Sequence, residues 1–351
     1  MGKLAVKRYV SLMMLILQLV ISIFTIVGLF GGDSSPVGNA AAAMCVYILP
    51  LLILANILML LYWLIIRNWF ILPIPVITVL CCIPYISTIY QPGLFRSNSS
   101  ENGLKVASYN VAMFGRSATG FIAQDVLAEM RRENVDVFCI QEYTNVSGDK
   151  KVTDIYRDYF PYVAIGRDDM AIFSRYPITG KKSILFENTN NSAMWANINV
   201  NGKQVRIYNV HLETTGFNRT LHQAAKLMNK GIKVENNAII NAIYGNYTLG
   251  MIVRAGQAHT VAMDMRDSNL PCIVCGDFND VPYSYVYNVM MGETMVDGFK
   301  ECGKGFMSTY RGAKPVRIDY ILHDKRMTGF TYYTKDMSYS DHLPVFMAIG
   351  L

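Results

Sequence analysis

The stretch "PCIVCGDFNDVP", Pro271 to Pro282, decides how the chain reads. Its first half is apolar without interruption, the pattern of a strand buried on both faces. It then presents Asp277 and Asn279 before Pro282 turns the chain away. An acid and an amide at the end of a buried strand mark either a corner or a place where something is held.

Working outward, the same event recurs. "LKVASYNVAMF" reads as a strand that ends near Asn110, and "VDVFCIQE" as a buried strand that ends on Glu142. "MWANINVNGKQVRIYNVHL" reads as two strands with a hairpin turn at Asn201-Gly202, the second reaching His211. "RIDYILHD" carries Asp319, and Asp341 and His342 precede the strand "HLPVFMAIGL". Between these lie the amphipathic helix "FIAQDVLAEMRREN" and a long helical region reaching Arg266, interrupted by a polar stretch from Asn218 to Thr248 that reads as a solvated helix or loop. The hairpin predicts antiparallel pairing and the alternation predicts helices covering sheets, so the expected fold class is an α/β sandwich of two mixed sheets.

Before this lies a segment of a different character. The chain has 351 residues, 52% of them hydrophobic, and a mean hydropathy of +0.23. The excess is concentrated in three uncharged apolar stretches, about Tyr9–Phe30, Ala41–Ile66 and Trp69–Ile89, each near the ~20 residues that cross a bilayer as a helix. Lys3, Lys7 and Arg8 ahead of the first stretch resemble a signal peptide, but its length and the two stretches behind it favour retained helices. Pro73, Pro75 and Pro84 make the third the least regular. The expected organisation is about three transmembrane helices over 1–90, a linker over 91–103 and a catalytic domain over 104–351.

Lys and Arg flank the first stretch at its start and, through Arg67, the loop after the second, which places those loops in the cytoplasm. Three crossings then put the catalytic domain on the extracytoplasmic side of the bilayer, the periplasm if the source is bacterial. Lys3, Lys7, Arg8, Arg67 and Arg96 against Asp33 account for +4 of the net charge of +6. The remainder is near neutral, so bulk charge does not indicate a strongly basic nucleic-acid-binding face and leaves room only for a local basic patch. Cys139, Cys272, Cys275 and Cys302 are an even set outside the apolar stretches, which permits disulfides in that compartment. Cys272 and Cys275 point to opposite faces of one strand and do not form a metal pair.

The blocks "SYNVAMFG", "CIQEY", "YNVHLE", "CGDFNDVP", "RIDYILHD" and "YSDHLPV", in this order, resemble the endonuclease/exonuclease/phosphatase superfamily, the pancreatic-deoxyribonuclease-like fold. The resemblance runs from about Leu104 to the C-terminus. It implies a four-layered α/β sandwich and a metal-dependent phosphoesterase. A hard divalent cation, Mg²⁺ or Mn²⁺, would sit on Glu142 helped by Asn110, with Asp341 a candidate for a second metal position or for direct contact with the phosphate region. Asp277 would deprotonate the attacking water and Asn279 would hold water or phosphate. His211 and His342 would stabilise charge on the phosphoryl oxygens, His342 oriented by Asp319. Asp168 or Asp169 would be the carboxylate partner of His211, and Tyr310 or Arg317 could touch substrate. His222, His259 and His323 read as surface or packing residues, and Arg254 and Gln257 as scaffold.

The partners implied are a lipid bilayer and a phosphoester substrate: a nucleic acid, a phospholipid or inositol phosphate, or a small phosphorylated metabolite. An inactive membrane scaffold is the remaining alternative, and the presence of every expected acid, amide and imidazole argues against it. No protein partner is evident.

Overall fold

In the computed structural model the described residues are 3–93, 103–115, 122–147, 150–167, 169–187, 189–214, 236–312, 315–337 and 339–351. They divide into two compact units. One comprises Met1–Thr88 with Tyr283–Asn288, the other Ile89–Pro282 with Val289–Leu351.

The first unit contains α1 (Lys3–Gly31), α2 (Pro36–Met44), α3 (Leu49–Ile65), α4 (Pro73–Cys81) and α5 (Ile83–Ile86). Two runs, Val6–Gly31 and Pro36–Ile65, are long and apolar enough to cross a membrane. The third apolar stretch differs from the expected single span: it folds as α4 and α5, each opening on a proline in its first turn and separated at Cys82. A proline ring clashes with the carbonyl four residues back, so Pro84 stops α4 from running on unbroken. The unit is inside out by the standards of a water-soluble protein. Leu12, Ile16, Ile23, Phe24 and Phe30 of α1 are exposed, whereas Gln18, Ser22 and Thr25 are buried. The Gln18 amide donates to Ser22 Oγ (2.8 Å) and Asn56 Oδ1 (3.0 Å), the Asn56 amide to Thr25 Oγ1 (2.8 Å), and the Thr78 hydroxyl to Ser22 Oγ (3.1 Å). These bonds tie the middles of α1, α3 and α4 together.

The second unit holds sixteen strands: β1 (Tyr90–Gln91), β2 (Leu104–Asn110), β3 (Val137–Gln141), β4 (Val146–Ser147), β5 (Lys150–Lys151), β6 (Tyr162–Ile165), β7 (Ala171–Ser174), β8 (Ile178–Leu185), β9 (Ser192–Val200), β10 (Lys203–His211), β11 (Cys272–Asp277), β12 (Met295–Asp297), β13 (Gly305–Phe306), β14 (Asp319–Asp324), β15 (Thr328–Thr334) and β16 (Val345–Gly350). Its helices are α6 (Ala123–Arg132), α7 (Val152–Tyr156), α8 (Asn236–Arg266) and α10 (Gly298–Cys302); α9 (Tyr285–Met291) is divided, with Tyr285–Asn288 in the first unit and its last residues in the second.

Two six-stranded sheets form the frame, in the orders β15-β16-β2-β3-β7-β6 and β12-β14-β11-β10-β9-β8. Each is mixed, with one parallel pair near its centre: β2 with β3 in the first, β10 with β11 in the second. The expected hairpin is the antiparallel β9–β10 pair, and Asn201 and Gly202 take positive φ at its turn (52° and 93°).

Side chains alternate along these strands. Val106, Val137, Cys139, Ile172, Ile207, Ile273, Cys275 and Ile321 fill one core, to which both sheets contribute. Ala107, Tyr109, Phe138, Ile140 and Phe173 face the other way, onto α6 residues Ala123, Val126, Leu127 and Met130 and α7 residues Val152 and Tyr156. Those α6 positions recur every three or four residues, so one helical stripe is buried and the charged Glu129, Arg131 and Arg132 lie off it. All the cysteines described are free. Residues 236–248 of the polar stretch belong to α8, ahead of the expected resumption near Leu249, while 218–235 lie outside the described residues.

Candidate active site

The same alternation that builds the inner core ends in polar groups. Going up β2, the inward positions run Val106, Ser108, Asn110; up β3, Val137, Cys139, Gln141; up β10, Val205, Ile207, Asn209, His211; up β11, Ile273, Cys275, Asp277. Asn110 is paired with Gln141 and His211 with Asp277, so both parallel pairs deliver their last inward residues to one end of the sandwich. Asp277 is also paired with Asp319 at the start of the antiparallel neighbour β14.

Gly276 is what allows β11 to close on β10. Its φ is 143°, and a Cβ there would stand 1.9 Å from the carbonyl oxygen of Val210. Just beyond the strands, Glu142 (φ 48°) and Asn279 (φ 51°) adopt left-handed backbone, a conformation held only where its surroundings enforce it. Asn279 therefore does not continue β11. Its N–H donates to Asp277 Oδ1 (2.8 Å), and its side-chain amide donates to the Leu212 carbonyl (2.9 Å).

One atom lies at the centre. Asp277 Oδ2 accepts from the Asn110 amide (3.2 Å) and lies 3.6 Å from His342 Nε2 and 3.9 Å from His211 Nε2. The Asn110 amide also reaches Glu142 Oε1 (3.1 Å). Both imidazoles are fixed from behind. His211 Nδ1 lies 2.6 Å from Asp169 Oδ2, and His342 Nδ1 lies 3.0 and 3.1 Å from the two Asp319 oxygens. Asp169 is thus the partner of His211, while Asp168 lies outside the described residues. Tyr310 bridges His342 through its backbone, and the two ring centroids are 5.1 Å apart.

These distances set the protonation states. Burial opposes charge on His211, but the hydrogen bond to Asp169 and the charges of Asp277, Asp169 and Glu142 outweigh it and raise its pKa to about 9. Burial likewise opposes charge on His342, and the charges of Asp319 and Asp277 together with the Asp319 hydrogen bond raise it to about 10. Burial pushes Asp277 above the usual carboxylate value, against the pull of the two histidines and the Asn279 N–H.

One sequence expectation ends elsewhere. Arg317 is buried, its guanidinium held bidentate by Asp297 at 2.9 and 2.6 Å, so it cannot present its charge to a substrate. At 2% exposure its remaining N–H donors do not reach the surface either. Asp341 is exposed, and it stands outside the group Asp277, Asp319 and His342, whose ligand-type atoms lie within 4.8 Å of one another. Arg254 and Gln257 are scaffold, as expected: Arg254 donates to Asp280 Oδ2 (3.3 Å) and the Glu213 carbonyl (3.0 Å), and Gln257 accepts the Glu213 N–H (2.8 Å). His323 is a packing residue, buried with Nε2 2.6 Å from Glu301 Oε2.

Beneath the site lies a feature the sequence reading missed. Asn209 of β10 accepts the Gln141 amide of β3 (2.6 Å) and donates to the carbonyls of Ile140 (2.8 Å) and Ala171 (3.0 Å). This polar tie joins one sheet to the other inside an apolar core. The signal was present, because Asn209 sits two residues before His211 and so shares its face.

As a cation site the residues present fit. Two carboxylates, Glu142 and Asp277, are drawn to the Asn110 amide nitrogen, while its oxygen accepts the Ala112 N–H (3.1 Å), so the hard donors gathered here that suit Mg²⁺ or Mn²⁺ are the carboxylate oxygens.

A buried acid thus lies between two carboxylate-backed imidazoles at the end of a two-sheet sandwich. The chain belongs to the endonuclease/exonuclease/phosphatase family, whose model matches residues 107–342, and this is a family of phosphoester hydrolases. A second model, described as a domain of unknown function, matches residues 11–89. Among solved structures, the endonuclease/exonuclease/phosphatase protein of Beutenbergia cavernae is 17% identical with a TM-score of 0.52, covering 71% of each chain. That of Bacteroides vulgatus is 16% identical with a TM-score of 0.52, covering 72% of this chain and all of its own. The human Nocturnin catalytic domain, solved with a sulfate anion, is 15% identical with a TM-score of 0.51, covering 71% of this chain and 93% of its own. At these identities the likeness is one of fold. No curated protein sequence matches the chain significantly.

Proposed function

We propose that the protein is a membrane-anchored, divalent-cation-dependent phosphoester hydrolase in which Asp277 activates water. The observation that carries this reading is the convergence of Asn110, His211 and His342 on Asp277 Oδ2. Asp277, made more basic by burial, takes a proton from a water molecule. The water oxygen bonds to phosphorus as the ester P–O bond breaks, and the departing oxygen receives a proton from an imidazolium of the His211 and His342 pair. Asp169 and Asp319 keep those rings charged and aimed, so the developing negative charge meets two positive groups already in place. Asn279 pins the second oxygen of Asp277 and holds the strand end. Glu142 and Asn110 would hold Mg²⁺ or Mn²⁺, with Asp341 at the rim for a second position, and the bound cation supplies positive charge to the phosphoryl oxygens. Tyr310, packed on His342, would touch substrate.

The inside-out first unit supports anchoring, since its exposed apolar surface suits lipid and its polar groups pair internally. Thr78 of α4 bonds Ser22 of α1, which supports treating the third apolar stretch as a crossing despite its break at Cys82. Three crossings put the catalytic unit outside the cytoplasm. The test is hydrolysis of bis(p-nitrophenyl) phosphate and p-nitrophenyl phosphate by the purified full chain, with Mg²⁺ or Mn²⁺ and with chelator. Activity is expected with cation and is lost with chelator, with Asp277→Ala and with His342→Ala. Activity that survives any of these refutes the mechanism, and protection of the catalytic unit from protease added outside intact cells refutes the orientation.

A further inference from the structure

Two features joined to the site carry exposed apolar side chains, and neither is explained by hydrolysis of a soluble substrate. The first is the N-terminal half of α8. From Asn236 to Val253 the helix carries no charged residue, and within it Ile240 is 60% exposed, Tyr244 53% and Leu249 60%. An exposed helix without charges is unusual in water, where solvated helices are rich in Lys and Glu. The helix becomes buried at Met251 and is fastened at Arg254, through Asp280 and the Glu213 carbonyl. Asp280 follows Asn279, and Glu213 follows Leu212, whose carbonyl accepts the Asn279 amide. The exposed arm therefore springs from the wall of the site itself.

The second feature lies on the Tyr310 side. β1 pairs with β13, Tyr90 opposite Phe306, with ring centroids 4.7 Å apart and Phe306 81% exposed. Met307 donates its N–H to the Ile89 carbonyl (3.4 Å). From Phe306 the chain runs directly to Thr309, whose hydroxyl accepts the N–H groups of Ile318 and Asp319, and to Tyr310 against His342. Phe306 and Tyr310 are four residues apart, a span of at most about 13 Å even fully extended. Ile89 is also the last residue of the third apolar stretch, so this exposed aromatic pair is continuous in sequence with the membrane-spanning part. Aromatic side chains at such a point belong at headgroup level.

We propose that the substrate is a phosphate ester carried on a lipid, engaged at the bilayer surface with the α8 arm and the Tyr90–Phe306 pair in contact with the membrane. This rests on the hydrolase and anchoring readings above. It is favoured over a nucleic acid because Arg254 and Arg317 are turned inward onto Asp280 and Asp297, and because the arm offers no cation to a phosphate backbone.

The experiment reconstitutes the full chain into vesicles of phosphatidylcholine, phosphatidylethanolamine, phosphatidylglycerol and phosphatidic acid with Mg²⁺. Release of water-soluble phosphate from the lipids is compared with hydrolysis of bis(p-nitrophenyl) phosphate and of a single-stranded oligonucleotide. Lipid hydrolysis is expected, and Ile240→Asp/Tyr244→Asp or Phe306→Asp lowers it roughly tenfold while the soluble substrate is turned over unchanged. The variant Ile240→Trp/Tyr244→Trp keeps the lipid rate, which it would not do if the arm served only to hold the fold. Oligonucleotide cleavage with intact lipids, or a lipid rate indifferent to the Asp substitutions, overturns the proposal while leaving a phosphoesterase standing. A chain that hydrolyses none of the three substrates overturns both.

Discussion

Replacing Arg317 with Met separates a structural arginine from a substrate-binding one. Its side chain and that of Asp297 are both 0% exposed, and two N–H···O bonds join them. The guanidinium also lies 4.9 Å from the Phe299 ring centroid and 4.7 Å from that of Tyr320. Met fills much of the same volume but leaves the Asp297 carboxylate without its cation, though still accepting the Phe299 N–H at the start of α10. Removing one partner of a buried ion pair costs about 3–5 kcal/mol, mostly the stranded charge. Against a total stability of about 5–15 kcal/mol this is a large fraction. At about 2–4 °C per kcal/mol for a domain of this size, the unfolding midpoint of the catalytic unit should fall by about 6–20 °C. Adding Asp297→Asn removes the stranded charge, keeps an acceptor for Phe299 and should recover most of the loss. The assay is thermal unfolding by circular dichroism, with kcat/KM measured well below the transition, where the single variant should retain wild-type activity. A hundredfold loss of kcat/KM at an unchanged midpoint, or a double variant no more stable than the single one, would refute this reasoning.

Other outcomes follow from the same geometry. His211 and His342 have raised pKa values, so their charged forms persist through neutral pH and are lost as pH rises, and kcat/KM should fall through about pH 9; a profile flat to pH 10 contradicts this. Asp169→Asn removes the leading favourable contact of the His211 ring, and the alkaline limb of that profile should move down by about 1–2 units without loss of helix signal. Glu142→Gln should raise the Mg²⁺ concentration for half-maximal rate about tenfold or more, read by titrating activity with cation. Gly276→Ala must accommodate a Cβ 1.9 Å from the Val210 oxygen at φ 143°, so it should destabilise the fold by about 3 kcal/mol or more, visible in denaturant unfolding.

Much of the site was legible because strand periodicity does two tasks at once. The alternation that buries Ile273 and Cys275 also points Asp277 inward, and the same holds for Asn110, His211 and Asp319 on their own strands. What escaped lies where periodicity stops. Asp168 and Asp169 are adjacent acids in the sequence, and the backbone bond from the Tyr143 N–H to the Asp169 carbonyl is a long-range contact that no local pattern announces. Arg317 stands two residues before Asp319 and so looked like part of the site. Its actual partner, Asp297, is twenty residues away on another strand. In the third apolar stretch, hydropathy registered a span, and the prolines that split it into α4 and α5 registered only as an irregularity.

The Asn209–Gln141 tie bears on how the molecule acquires activity. Glu142 follows β3 in one sheet, whereas His211 and Asp277 end β10 and β11 in the other. Neither sheet alone contains a working centre, however well its own strands are paired. During refolding, catalytic competence should therefore return only when the two sheets have met in register and the buried amides have found each other. A probe of strand formation such as circular dichroism would run ahead of it, which makes turnover itself a clock for the final docking step.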